Sequence, residues 1–346
     1  MRIAILSYPM LFQRQGGLQI QIKETVAALK QLGVQAELID PLQDHLTDYE
    51  LVHVFSAING NYRIVEAAKD AGKPVVISPL VRPDWTRFSG MRARFFDRLV
   101  GKSTGWHIQT TYREIDYCLQ ASDAIVALGE IERQSIIDAF LIASEKIKVI
   151  PNGIPQRFFK ATPQLFVDKH DIAPGFVLCV AAINSHKNQL AVVDALKDSG
   201  LTVVLIGSCL ASSQSYLAKL LTYPHVMYLG SLAYDDPLLA SAYAAAGVFC
   251  LPSQSEVMPL SVLEALAAGT PVVMTKNHCM DVSKMQPYVR EIEPDDWAAI
   301  REAISGLLAH SVDAANCRSS VAGLSWGNVA ADLAIIYQQV ISKHPV

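Results

Sequence analysis

Hydrophobic and polar positions along this chain fall into short apolar runs separated by longer amphipathic stretches, and the rhythm runs through the chain twice. Short continuous apolar runs bounded by turn formers read as strands buried on both faces, and apolar positions three and four apart read as helices. In the first half this predicts strands at 3–6, 34–39, 51–55, 75–78, 124–127 and 147–150. Helices fall between them at 18–32, 63–71, 115–120 and 130–140. In the second half, strands are predicted at 176–181, 202–206, 226–229, 248–251 and 272–274, and helices at 188–197, 212–221, 237–246 and 260–268. Alternation of this kind builds parallel sheets with helices on both faces, one sheet per half. Polar and turn residues gather at 155–172, the expected boundary between a first domain, 1–165, and a second, 166–325.

The most informative stretch is VFCLPSQSEVMPLSVLEALAAGTPVV, residues 248–273. The strand stops at Pro252, and a polar turn from Ser253 to Ser255 leads to Glu256. Pro259 stands where a first helical residue should, and Gly269 ends the helix. Glu256 and Glu264 thus lie at the loop and first turns of a helix whose start offers free backbone N–H groups and a positive dipole end, which suits a phosphate. Carboxylates beside it suit the hydroxyls of a ribose or a sugar, because an ionised carboxylate accepts two hydrogen bonds. One Glu in a first turn is ordinary helix chemistry; two in this setting are less so.

The segment resembles the nucleotide-sugar-binding signature of the retaining glycosyltransferases of family 4. The matching residues are Pro252-Ser253, Glu256, Leu260, Leu263-Glu264-Ala265 and Gly269-Thr270-Pro271-Val272-Val273. Val257 and Pro259 stand where the family has glycines. The resemblance implies an α/β chain of the GT-B fold, two Rossmann-like, doubly wound parallel-sheet domains facing across a cleft. It also implies that the last helix, within 326–346, packs back on the first domain. Glu264 would hold the ribose hydroxyls and Glu256 those of the donor sugar. Lys187, in VLCVAAINSHKNQ, would carry the diphosphate with the N–H groups near Leu260 and Ser261. Gly16-Gly17 resembles the family's Gly-Gly loop, whose bare backbone lets a phosphate or an acceptor approach. Arg14 and Asn59 are further candidates on the acceptor or phosphate side, against the simpler readings of a solvated Arg and a helix cap.

Two departures stand out. Ala181-Ala182 replaces the family's Gly-Arg, removing one of two cations that neutralise the diphosphate. Because unpaired charge in a cleft is costly, a second cation from the first domain is expected, with Arg14 the nearest by loop position. Leu80 occupies the place where many members carry a His after the fourth strand. His53, inside an apolar strand, reads as a core residue, and His107 reads the same way. A retaining transfer tolerates Leu80, because the departing phosphate can take the acceptor's proton.

Composition agrees with two domains. The 346 residues exceed what one core usually serves, and 51% are hydrophobic. A net charge of −4 gives no support to nucleic-acid binding. No apolar stretch reaches the ~18 residues of a membrane span, and MRIAILSYPM reads as a strand, not a leader. Six scattered cysteines read as core residues of a reducing cytoplasm. The stretch 82–113 is the least regular and most basic, with Arg82, Arg87, Arg92, Arg94, Arg98, Lys102 and Arg113 against Asp84 and Asp97. Interleaved aromatics suit an anionic membrane surface, where lipid-linked acceptors reside. The competing reading is a helix with Phe95, Phe96 and Leu99 in the core.

The expected activity is therefore a retaining transfer of a sugar from a nucleotide diphosphate donor to a saccharide or lipid-linked acceptor, in surface polysaccharide or lipid-linked glycan assembly. The expected place is the cytoplasm or the inner face of its membrane. No metal and no other cofactor is implied: no Asp-x-Asp pair follows a strand, and Asp235-Asp236 reads as a helix cap. Two alternatives stay open: another GT-B enzyme, such as a nucleotide-sugar epimerase or a glycan phosphorylase, and an inactive binding or regulatory module, which Ala182 favours. An NAD enzyme is disfavoured, since no G-x-G-x-x-G follows the first strand.

Overall fold

In a computed structural model, which describes residues 1–13, 16–105, 108–310 and 312–344, the apolar runs become two six-stranded parallel sheets. The first half comprises β1 (Arg2–Leu6), α1 (Gly17–Gln31), β2 (Gln35–Leu38), β3 (Leu51–Phe55), α2 (Tyr62–Asp70) and β4 (Val75–Ser78). It continues with α3 (Arg87–Thr104), α4 (Thr111–Ala121), β5 (Ala124–Ala127), α5 (Glu130–Phe140) and β6 (Ile147–Val149). After α6 (Gln156–Phe159) and α7 (Gln164–His170), the second half holds β7 (Val177–Val180), α8 (Gln189–Leu196), β8 (Val203–Ile206), α9 (Gln214–Leu220) and β9 (Val226–Tyr228). Then come α10 (Pro237–Ala245), β10 (Val248–Leu251), α11 (Leu260–Ala268), β11 (Val272–Thr275) and β12 (Val289–Ile292). The chain closes with α12 (Trp297–Ala309), α13 (Ala314–Ser319) and α14 (Trp326–Ser342).

Strand order is β2-β1-β3-β4-β5-β6 in one sheet and β12-β11-β10-β7-β8-β9 in the other. Every residue of β4, β8, β10 and β11 is buried, because helices cover both faces of each sheet. The order reverses between β1 and β3 and between β7 and β10. Such switch points open a crevice beyond the strand ends, and the loops after β1, β7 and β10 meet there.

Three expectations change. The stretch 82–113 is not irregular: Thr86 caps α3, its side chain accepting from the Ser89 N–H, and the helix runs for 18 residues. The expected boundary at 155–172 folds into α6 and α7, whose Phe158 and Phe166 sit in the second domain's core with Ile154. Pro259 is the N-cap of α11 rather than its first residue, with φ −69° and ψ 121°.

The last helix, α14, packs on α1. Its Trp326, Leu333 and Tyr337 share a core with Ile3, Ile22 and Leu29 of the first domain. A turn at Pro151-Asn152-Gly153 permits this approach, since a Cβ on Gly153 would lie 2.4 Å from the Trp326 nitrogen. His53 is fully buried, 2.7 Å from the Tyr337 hydroxyl and 3.0 Å from Ser78 Oγ. Burial lowers its pKa to about 3, so it is a neutral core residue. All six cysteines are free thiols and five are buried. Arg14 and His107 lie outside the described residues.

Candidate active site

A cleft of about 760 Å³ separates the two sheets at their switch points. Gly16 and Gly17, at the start of α1, form one wall; Ala182, Lys187, Glu256, Leu260, Ser261 and Glu264 lie on the other. The walls are close: a Cβ on Gly17 would lie 4.0 Å from Leu260 Cδ1. The glycine loop is held from beneath. The Gly16 N–H donates to Gln19 Oε1 at 3.1 Å, and the Gln19 amide donates to the Leu11 carbonyl.

The loop after β10 is stitched on several sides. The Glu256 N–H donates to the Asn277 carbonyl at 2.8 Å, and the Gln254 N–H to the His186 carbonyl at 2.9 Å. The Asn152 amide donates to the Met258 carbonyl at 3.0 Å. This fixes Glu256, whose Oε1 lies 2.6 Å from Lys187 Nζ. Lys187 is set by the loop after β7, which Gln189 ties back through the Ala182 carbonyl at 2.9 Å. The two residues expected to meet a sugar and a diphosphate thus close on each other, each neutralising its partner. Beside them the Val262 N–H of α11 donates to the Pro259 carbonyl at 3.2 Å, while no side chain caps the helix at its Leu260 and Ser261 N–H groups.

Glu264 lies one turn into α11 and is 4% exposed. Its Oε2 accepts from the Tyr243 hydroxyl at 2.8 Å, whereas Oε1 has no hydrogen-bond partner. The Tyr234 hydroxyl, also a buried group of a cleft-lining residue, has none either. Burial pushes the Glu264 pKa up to about 7, against the Tyr243 hydrogen bond, which favours the ionised form. Buried polar atoms are normally paired, and the Tyr234 hydroxyl also favours the ionised form of Glu264, so these two unpaired groups neighbour each other at the cleft wall.

Leu80 lines the cleft with a left-handed backbone, φ 59°. Asn59 is also left-handed (φ 63°) but exposed and not among the cleft-lining residues, because the β3–α2 turn carries it outward. Asn61 holds that turn, and not by a side-chain cap: its amide donates to the Phe55 and Ser56 carbonyls, both at 2.9 Å.

The structure adds residues that the sequence reading missed. Lys23 and Glu24 of α1 face the cleft. Their spacing from Gly16-Gly17 follows the helical period, so this signal was available. Arg157 was not legible. Its guanidinium lies 4.3 Å from the Tyr234 ring centre, donates to the Tyr234 carbonyl at 3.1 Å and comes within 3.9 Å of Glu24 Oε1. It links the second domain to α1 of the first.

Residues 165–321 match the family glycosyl transferases group 1. The second domain is a glycosyl transferases group 1 domain. The chain is similar to D-inositol 3-phosphate glycosyltransferase of Segniliparus rotundus, 26% identical over 202 residues, which are 54% of this chain and 45% of that protein. It also resembles UDP-Gal:alpha-D-GlcNAc-diphosphoundecaprenol alpha-1,3-galactosyltransferase of Escherichia coli, 23% identical over 79% of this chain and 70% of that one. The matches span 45%, 34% and 54% of three of the curated relatives, about half their length or less. The Anabaena protein HepE, solved in complex with UDP, superposes over 98% of this chain and all of its own, with a TM-score of 0.70 at 17% identity. The group 1 domain and its partner sheet therefore form a GT-B fold.

Proposed function

We propose that the protein transfers a sugar from a nucleoside diphosphate sugar to a hydroxyl of a saccharide or lipid-linked acceptor, retaining configuration and using no metal ion. The observation that carries this reading is the convergence of Glu256, Glu264, Lys187 and the uncapped start of α11 on one cleft, opposite Gly16-Gly17. Glu264 Oε1 accepts from a ribose hydroxyl. The diphosphate lies on the helix start and draws Lys187 from Glu256, whose freed carboxylate takes the donor sugar's hydroxyls. Binding thus exchanges the Lys187–Glu256 ion pair for a Lys187–diphosphate pair and gives the freed Glu256 carboxylate hydroxyl donors in its place.

In the transfer step the bond from the anomeric carbon to the phosphate oxygen breaks while a bond to the acceptor oxygen forms on the same face. The acceptor's proton passes to the departing phosphate, so no base is needed where Leu80 stands. Among the described residues, Lys23 and Lys187 are the cations on the cleft wall. Lys23 therefore joins Arg14, which lies outside the described residues, as a candidate for the charge missing at Ala182. The UDP-bound neighbour favours a uridine donor, and the diphosphoundecaprenol-linked acceptor of the Escherichia coli relative favours glycan assembly at the cytoplasmic face of a membrane.

Ala182 also supports a second reading, an inactive module that binds nucleotide. A thermal-shift screen of UDP, GDP, ADP and their sugars, followed by transfer assays with excess EDTA, separates the two. The proposal expects one nucleotide to raise the melting temperature, EDTA to leave turnover intact, and Lys187→Ala to lower turnover by about 10²-fold or more. A nucleotide shift without turnover from any donor would establish the inactive module. No shift with any nucleotide would end both readings.

A further inference from the structure

We propose that α3 is a docking helix that seats the first domain on an anionic lipid surface. One face of α3 is fixed to the protein. A Cβ on Gly90 would lie 2.4 Å from the Ala139 carbonyl oxygen, so the helix lies directly on α5. Arg94 donates to the Tyr112 hydroxyl at 3.0 Å and to the Ala139 carbonyl at 3.1 Å. Asp97 accepts from the Thr110 hydroxyl at 2.6 Å. Small and polar residues thus take the inward positions.

The opposite face is apolar. Phe88, Met91, Phe95 and Leu99 follow one another at helical spacing, with Phe96 beside them, and each exposes between 49% and 62% of its surface. This inverts the usual helix, whose apolar stripe turns to the core. It also overturns the expectation that Phe95, Phe96 and Leu99 fill the core.

Arg87, Arg92, Arg98 and Lys102 are exposed around the stripe, and Arg92 stands 5.6 Å above the Phe88 ring. The one acid within the helix, Asp97, is engaged with Thr110 on the inward side. These cations gather on a chain whose net charge is −4. An apolar stripe edged by arginine and lysine matches a bilayer interface: rings and methyls enter the acyl boundary while the cationic heads reach lipid phosphates. A second copy meeting this face would oppose four cations with four. Helices able to cross a membrane are absent among the described residues, so attachment here is lateral.

The position of α3 gives docking a purpose, which rests on the transfer reading. Leu80 lines the cleft, and α3 begins seven residues later, so the first-domain wall is joined by a short loop to the docked helix. A lipid-linked acceptor would enter the cleft from that surface.

Co-sedimentation with vesicles tests the docking without donor or acceptor, so its failure leaves sugar transfer standing and a failed transfer leaves docking standing. The full chain should pellet with phosphatidylcholine vesicles holding about 30 mol% phosphatidylglycerol, pellet far less with phosphatidylcholine alone, and be partly released by salt. Phe95→Ser with Leu99→Ser should lower partitioning by about 10-fold or more. Circular dichroism and the nucleotide melting shift of that variant should match the parent's, since both positions are exposed. Arg92→Gln with Arg98→Gln should remove most of the salt-sensitive part. The proposal fails if the parent ignores anionic vesicles, if the serine variant partitions as the parent does, or if that variant instead splits a dimer seen by sedimentation velocity.

Discussion

At the scale of residues, Glu264 faces opposite demands before and after a ligand arrives. Its carboxyl is buried with one oxygen unpaired, and burial raises its pKa from 4.5 to about 7. A raised folded pKa means that the fold binds a proton more tightly than the unfolded chain. The carboxyl's contribution to stability is therefore present below 4.5 and lost as pH rises through 7. A ribose hydroxyl reverses the preference, because it donates best to the ionised form. If only that form binds, affinity for UDP should rise about 10-fold between pH 6 and pH 8. Calorimetry checks this, with Glu264→Gln expected to bind more weakly and to lose the part of the pH dependence due to Glu264. Lys23 makes a separate test. Lys23→Ala should lower kcat/KM by about 10-fold or more if it neutralises the departing diphosphate, and a silent variant removes it from the site.

At the scale of elements, the loop after β4 shows how a buried carboxylate shapes a wall. Leu80 at φ 59° adopts a conformation that costs a branched side chain about 1 kcal/mol or more. Glu132, on α5 and fully buried, holds it: one oxygen accepts from the Val81 N–H and the other from the Leu128 N–H, both at 2.7 Å. Both carboxylate oxygens are engaged, and a glutamine has only one acceptor. Glu132→Gln should leave one buried N–H unpaired, lower stability by about 1–3 kcal/mol and speed amide exchange at residues 80–82. Unchanged exchange there would show that the loop holds its shape without the carboxylate. A Cβ on Gly207 would lie 1.9 Å from the Ala181 carbonyl oxygen, so the loops after β7 and β8 meet only over a glycine.

At the scale of the whole molecule, the domains share their electrostatics as well as a cleft. Contacts run from Gly17 to Leu260, from Val81 to the Cys279 thiol at 3.8 Å, and from Glu24 to Arg157. Burial is the main cause that raises Glu264, and Glu24 from the other domain adds to it. Glu24→Gln should therefore move the midpoint of the pH dependence of UDP binding downward. A midpoint equal to the parent's would show that the Glu264 carboxylate does not sense the first domain. Because α14 belongs to the second half of the chain but packs in the core of the first domain, the two domains are bound together by covalent path as well as by contact.

Periodicity and local chemistry alone determined most strands, the two-sheet architecture and the segment from Glu256 to Gly269, because both strand burial and helix capping are properties of short stretches. The same local reading fixed Asp236 as a cap, which the structure shows accepting from the Leu238 N–H at 2.8 Å. Tertiary structure alone decided which side chains meet. Lys187 and Glu256 are 69 residues apart, and only the loops after β7 and β10 bring them within 2.6 Å. Arg157 reaches Glu24 because α6 joins the second domain's core while α1 stays in the first. The outward stripe of α3 was equally hidden. A helix's period shows that it has two faces, and only the packing of Gly90 and Arg94 against α4 and α5 decides which one the protein covers.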